Sequence, residues 1–125
     1  MFARGFALQF SGDRGGAVEA YRAVVLGTRA PVAARAQYHI GECLVEDGKH
    51  LEAAREFTTA VANFDFDGEY AEWVRRALLG AGLAYGSAGD RAAAEAQYKE
   101  LVERFPSTDE ARAASERLRE TGKGG

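Results

Sequence analysis

Cysteine occurs once, at Cys43, so no internal disulfide framework can staple this chain, and a single thiol suits a reducing or an oxidising compartment alike. Proline occurs twice, isoleucine once and threonine five times, against 25 alanines in 125 residues. A chain so poor in β-branched residues and so rich in helix formers is expected to be all-α. Long hydrophobic runs are missing too: the charge-free stretch from Ala77 to Gly89 is mostly Gly and Ala and too short to span a bilayer. The N-terminal Met-Phe-Ala-Arg-Gly-Phe-Ala-Leu-Gln-Phe is too short and too interrupted for a secretory h-region, so no membrane insertion is expected and the compartment stays open. Neither sign of charge forms a run, and 16 basic against 19 acidic residues leave a net charge of −3, which makes nucleic acid a poor candidate partner. What remains is 46% hydrophobic and 28% charged, enough for one ordinary domain with a modest core.

Catalytic signatures are equally scarce. No Gly-x-Ser-x-Gly elbow, Walker loop or His-Glu-x-x-His occurs, and the carboxylates are scattered along helical stretches, so no enzyme is expected. Gly80-Ala-Gly82-Leu-Ala-Tyr-Gly86 looks like a dinucleotide turn, but a helical pattern precedes it instead of a strand, and small residues that let helices approach closely explain it better. His39 and Cys43 stand four apart, with Glu46 and His50 nearby, a spacing that could hold a metal. The repeat frame described next makes Cys43 a small buried residue instead, so neither metal nor cofactor is expected.

The chain repeats itself. Gly5–Val25, Gly41–Val61 and Gly82–Val102 align without gaps at offsets of 36 and 41 residues. Each opens on a Gly, with Leu8, Leu44 or Tyr85 three residues on and a second Gly at 12, 48 or 89. Ala17, Ala53 and Ala94 follow, then Tyr21, Phe57 and Tyr98, then the pairs Val24–Val25, Ala60–Val61 and Leu101–Val102. Ala53, Phe57, Ala60 and Val61 share one stripe at 3.6 residues per turn, so each copy predicts two helices with the second Gly at the reversal. Asp13 and Asp90 stand as N-caps, Pro31 suits a first helical turn, and Ser107 with Glu110 forms a capping box. The predicted helices are 2–11, 13–27, 31–46, 50–64, 69–87, 90–105 and 108–121. The five extra residues of the second offset fall around Phe64–Tyr70, in a longer connection or a longer first helix of the third copy.

This spacing resembles the tetratricopeptide repeat over nearly the whole chain, with Gly41, Ala53, Phe57 and Ala60 on the family's small and aromatic positions and Pro106 on its terminal Pro. The family's Trp position holds Met1, Gln37 and Leu78 instead, and Arg29 and Asp65 replace the terminal Pro in the first two copies. The resemblance implies an all-α, right-handed α-solenoid of three helix pairs plus a C-terminal capping helix: repeat 1 about 1–30, repeat 2 about 31–66, repeat 3 about 67–106, capping helix about 107–121 and a frayed tail 122–125. The closing Leu-Val-Glu-Arg-Phe-Pro-Ser-Thr-Asp-Glu-Ala-Arg is similar to the end of a bacterial subgroup that includes periplasmic TolA-binding cell-division coordinators and repeat lipoproteins of outer-membrane assembly.

By the same resemblance a concave groove would be lined by Phe2, Phe6 and Phe10 in the first copy, Arg35, Tyr38 and Glu42 in the second, and Arg76, Leu79 and Leu83 in the third. The family's chaperone-tail clamp uses Lys and Asn where Phe2, Phe6, Tyr38, Glu42, Leu79 and Leu83 stand, so an acidic C-terminal carboxylate is not the implied ligand. Phe2, Phe6 and Phe10 recur every four residues, a stripe that one small helix pair can scarcely bury. They are either core facing the next pair, or groove, or the stump of a longer array, or an open end that pairs with a second copy. The function implied is a non-catalytic scaffold that holds a peptide or amphipathic helix of another protein; the alternative is a self-associating structural unit or a fragment of a longer array, with the Phe face as the assembly contact.

Overall fold

The computed structural model describes residues 2–64 and 66–123, the side chains of 121–123 apart. Among these the chain is all-helical: α1 (Phe2–Phe10), α2 (Arg14–Gly27), α3 (Pro31–Glu46), α4 (His50–Asn63), α5 (Ala71–Ser87), α6 (Arg91–Arg104) and α7 (Asp109–Lys123). The extra residues of the second offset form a connection ending in a 3-10 turn, Gly68–Tyr70, that feeds α5. The Tyr70 hydroxyl donates to the Arg29 carbonyl at 2.6 Å and so ties this connection to the one between α2 and α3.

Gly12, Gly48 and Gly89 carry φ of 93°, 76° and 88° where the chain reverses, a conformation that side chains with a Cβ rarely adopt. The next helix starts at once: Asp13 accepts from the Gly16 amide at 2.9 Å and Asp90 from the Ala93 amide at 3.1 Å. At α7 the cap is Thr108, not Ser107. The Thr108 hydroxyl donates to the Phe105 carbonyl at 2.7 Å while its oxygen accepts from the Ala111 amide at 3.1 Å, one register later than the capping box predicted. Glu110 is thereby released to pair with Arg75 at 2.9 Å. The helix continues two residues past its expected end at Thr121; Gly124 and Gly125 of the expected tail lie outside the described residues.

Three clusters form the core, each joining a helix pair to the helix that follows. Tyr21, Ile40 and Cys43 centre the first, Phe57, Ala77 and Ala81 the second, and Leu78, Tyr98 and Leu101 the third. Leu44 packs against the first two and Val61 and Tyr85 against the last two, so the core is continuous along the stack. The first Gly of each copy makes room for an aromatic ring sixteen residues on. A Cβ at Gly5 would lie 2.7 Å from the Tyr21 ring, at Gly41 2.5 Å from Phe57 and at Gly82 2.3 Å from Tyr98. Gly80 likewise abuts Phe57, which accounts for the Gly-rich run without a nucleotide. Arg14–Asp47 and Arg22–Glu56 ion pairs link the first copy to the second, and Arg75–Glu110 links the third to α7. Gln37, at the family's Trp position, is buried and donates to the Glu56 carbonyl and carboxylate at 3.1 and 2.8 Å, which satisfies its amide.

Cys43 is buried, and burial pushes its thiol up to about 12. A thiol reagent should therefore label it slowly in the folded protein and rapidly after denaturation; fast native labelling would contradict this packing.

Candidate functional site

Three helices, α1, α3 and α5, carry a continuous surface of rings and guanidinium groups. It begins at Phe10, 76% exposed, whose ring meets Phe6 at 4.6 Å; Phe6, 36% exposed, lies 6.2 Å from Phe2. Phe2 is half-buried and leans on the first core cluster. On α3 the Arg35 guanidinium lies over Phe2 at 4.4 Å and over Trp73 of α5 at 5.2 Å, and Arg76 covers Trp73 at 4.8 Å. Each such contact is worth about 0.5–2 kcal/mol according to its desolvation, enough to hold the arginines in place. Tyr38 bridges inward, its ring 5.8 Å from Trp73 and 5.5 Å from Phe57. The stripe of the first helix is thus graded, with Phe2 against the core and Phe6 and Phe10 at the surface.

His39 stands at the centre. It is 8% exposed and its ring lies 5.3–6.0 Å from five others: Phe2, Phe6, Tyr21, Tyr38 and Trp73. Its Nδ1 sits 3.0 Å from Glu42 Oε1, and since a carboxylate can only accept, Nδ1 carries the proton. Gln9 Nε2 donates to the same Glu42 oxygen at 2.8 Å, and the Tyr21 hydroxyl donates to Gln9 Oε1 at 2.8 Å, so a hydrogen-bonded chain runs from α2 through α1 to α3. The His39 hydrogen bond, then that of Gln9, holds the Glu42 carboxyl below its ordinary value despite partial burial. Burial and the neighbouring Glu42 push the Tyr38 phenol up to about 12.

The Glu42 shift fixes a sign. A carboxyl that titrates lower in the folded chain than in the unfolded one adds stability that is complete above the unfolded value and disappears as pH falls through the folded one. Glu42→Gln should therefore melt below the parent at about pH 7, with the gap closing as the pH falls below the ordinary carboxylate range. A gap that stays constant across this range would show that the carboxylate charge plays no part.

Beyond Tyr38 the surface dips into a slot of about 190 Å³ among α3, α4 and α5, walled by Tyr38, Val45, Phe57 and Leu83 with Glu42 and His50 among its polar lining. Of the nine residues expected to line a groove, Phe2, Phe6, Phe10, Arg35, Tyr38 and Arg76 belong to the ring-and-arginine surface, Glu42 joins it through His39, and Leu83 borders the slot. Leu79 stands apart, half-buried against the cluster of Leu78, Tyr98 and Leu101. His39 and Trp73, which hold the surface together, have no counterpart in the other copies, so an alignment of repeats passes over them. The cue was local: Trp73–Arg76 and His39–Glu42 are i, i+3 pairs, each on one helix face.

Among the described residues no group of three or more His, Cys, Asp or Glu could hold a metal ion, and no helix is long and apolar enough to cross a membrane. The tetratricopeptide repeat profile matches residues 32–107, more than half of the chain. No curated protein matches it.

Proposed function

The chain belongs to the tetratricopeptide repeat family, whose domains generally mediate protein–protein interaction on a non-catalytic scaffold, and from that premise we propose that it is an adaptor holding a peptide or amphipathic helix of another protein. In this reading the helices form three pairs stacked as a right-handed solenoid, capped by α7, and the ring-and-arginine surface is the floor of the concave groove. The shared packing of Leu44, Val61 and Tyr85 between clusters supports the stack. The observation that carries the function is an apolar surface continuous over three helices whose outer rings, Phe6 and Phe10, stay exposed. Rigid aromatic and arginine side chains are the types that dominate binding energy at protein interfaces.

A photo-crosslinking phenylalanine placed at Phe10 or Leu83 in the native organism tests this. Both positions should trap the same protein, while the probe at Leu26 or Leu51, exposed apolar residues on α2 and α4, should not. Trapping of one common set from all four positions, or of nothing at the first two, would refute the groove. A band at twice the chain's own mass from Phe10 would show instead that the Phe face pairs two copies.

A further inference from the structure

Charge along the ring-and-arginine surface is uneven. Arg76 pairs with Glu72 at 3.2 Å and Arg75 with Glu110 at 2.9 Å, and the Arg14–Asp47 and Arg22–Glu56 pairs neutralise the neighbouring edges. Three formal charges on α3, Arg35, Glu42 and Glu46, lack a permanent counterion among the described residues, and the first two border the ring surface. Arg35 makes no ion pair; its guanidinium is held between Phe2 and Trp73, its Nε is buried without a partner, and the side chain as a whole is only half-buried. Ring contacts fix a guanidinium without using its N–H donors. Glu42, ionised more readily than an ordinary carboxylic acid, is held by His39, Gln9 and the Tyr38 hydroxyl, none of them a permanent cation, and makes no ion pair with a Lys or Arg. The two stand seven residues apart, about 10 Å along the helix axis. The slot lies at the Glu42 end. At about 190 Å³ it falls short of the roughly 300–1,000 Å³ usual for small-molecule pockets, and its walls suit one large side chain of a partner.

Building on the groove reading, we propose that this groove sorts partners by charge order: it takes a segment of another protein that sets an internal Asp or Glu against Arg35 and, about 10 Å further on, a large apolar side chain in the slot with a Lys or Arg beside it at Glu42. The reversed segment would bring like charges together at both ends, so charge order discriminates even where the apolar content of two partners is identical. Seven residues separate the two charges if the segment is helical and three if it is extended.

The test is selection of displayed random 12-residue peptides on the purified protein, followed by binding of synthetic peptides. Selected peptides should share the acidic residue and the apolar–basic pair at one of those two spacings. Exchanging the two charges of such a peptide should weaken binding at least tenfold, and Arg35→Glu should recover the exchanged peptide's acidic-end loss. Arg35→Gln, which leaves the aliphatic stem between the rings, serves if Arg35→Glu does not fold: it should erase the preference for the acidic residue alone. Peptides that need Phe6 and Phe10 yet show no charge order would overturn this proposal and leave the groove standing. Failure to select any peptide that depends on Phe6 and Phe10 would overturn both.

Discussion

Gly82→Leu is expected to abolish the cooperative thermal transition or to lower it by tens of degrees. A Cβ at this position would lie 2.3 Å from Cε1 of Tyr98, well inside van der Waals contact, and Tyr98 is 4% exposed with α5, α6 and α7 packed around it. A ring displaced by the added isobutyl group must give up its packing in the third cluster. Overpacking a tight core typically costs 1–3 kcal/mol. Here the clash begins at the first added atom, so the cost should be about 4 kcal/mol or more, a large fraction of the roughly 5–15 kcal/mol that holds a domain of this size. Gly41→Leu meets Phe57 at 2.5 Å and should behave alike.

A control on the same helix isolates the contact from the residue type. Gly86 lies in α5 with nothing within 4 Å of an added Cβ and without a positive φ. Gly86→Ala should therefore raise stability by about 0.5–1 kcal/mol, because alanine surrenders less backbone entropy to the helix. Calorimetry or circular dichroism would check both variants together. If Gly82→Leu melts with the parent, the Gly–aromatic pairing does not hold the helices together.

That pairing is also why so much of the fold is legible in the amino-acid sequence. Gly5–Tyr21, Gly41–Phe57 and Gly82–Tyr98 each place a missing side chain opposite a ring sixteen residues on, and a constraint written three times stands out from a single sequence. The turn glycines and the Asp caps were readable for the same reason: each satisfies a local backbone demand that the residue type alone reveals. Where a demand can be met by either of two neighbours, as at Ser107 and Thr108, the motif names the wrong one, because both hydroxyls can cap and only Thr108 also reaches the Phe105 carbonyl. Within the candidate site the frame found the line of α1 and α3 but set Leu79 beside it. The long-range contacts that assemble the surface, His39 with Phe2, Phe6 and Trp73 and Arg35 between Phe2 and Trp73, join residues more than thirty apart and centre on side chains that occur in one copy only. Periodicity cannot report a feature that does not repeat.

The double variant Phe6→Ala, Phe10→Ala should separate binding from folding. Phe10 is 76% exposed and Phe6 36% exposed, so their removal uncovers little: the Phe2, Tyr21, Tyr38 and Trp73 rings around His39 stay, as do the Gln9–Glu42 and Tyr21–Gln9 hydrogen bonds. The loss of stability should stay near 1 kcal/mol, a shift of roughly 5 °C in Tm. Binding should suffer more. If the groove is the contact, these rings are desolvated only when a partner covers them, and removing central aromatic anchors costs about 2 kcal/mol or more, roughly a thirtyfold rise in Kd. The arginines should divide the labour differently. Arg76, already paired with Glu72, should change salt dependence and association rate, while Arg35, fixed by two rings and lacking a counterion, should change the dissociation rate. Titration of the crosslinked partner against parent and variants, with melting curves alongside, measures each of these. A double variant that loses its helical signal would make the rings core; one that folds and binds that partner with unchanged Kd would remove them from the interface and with them the groove.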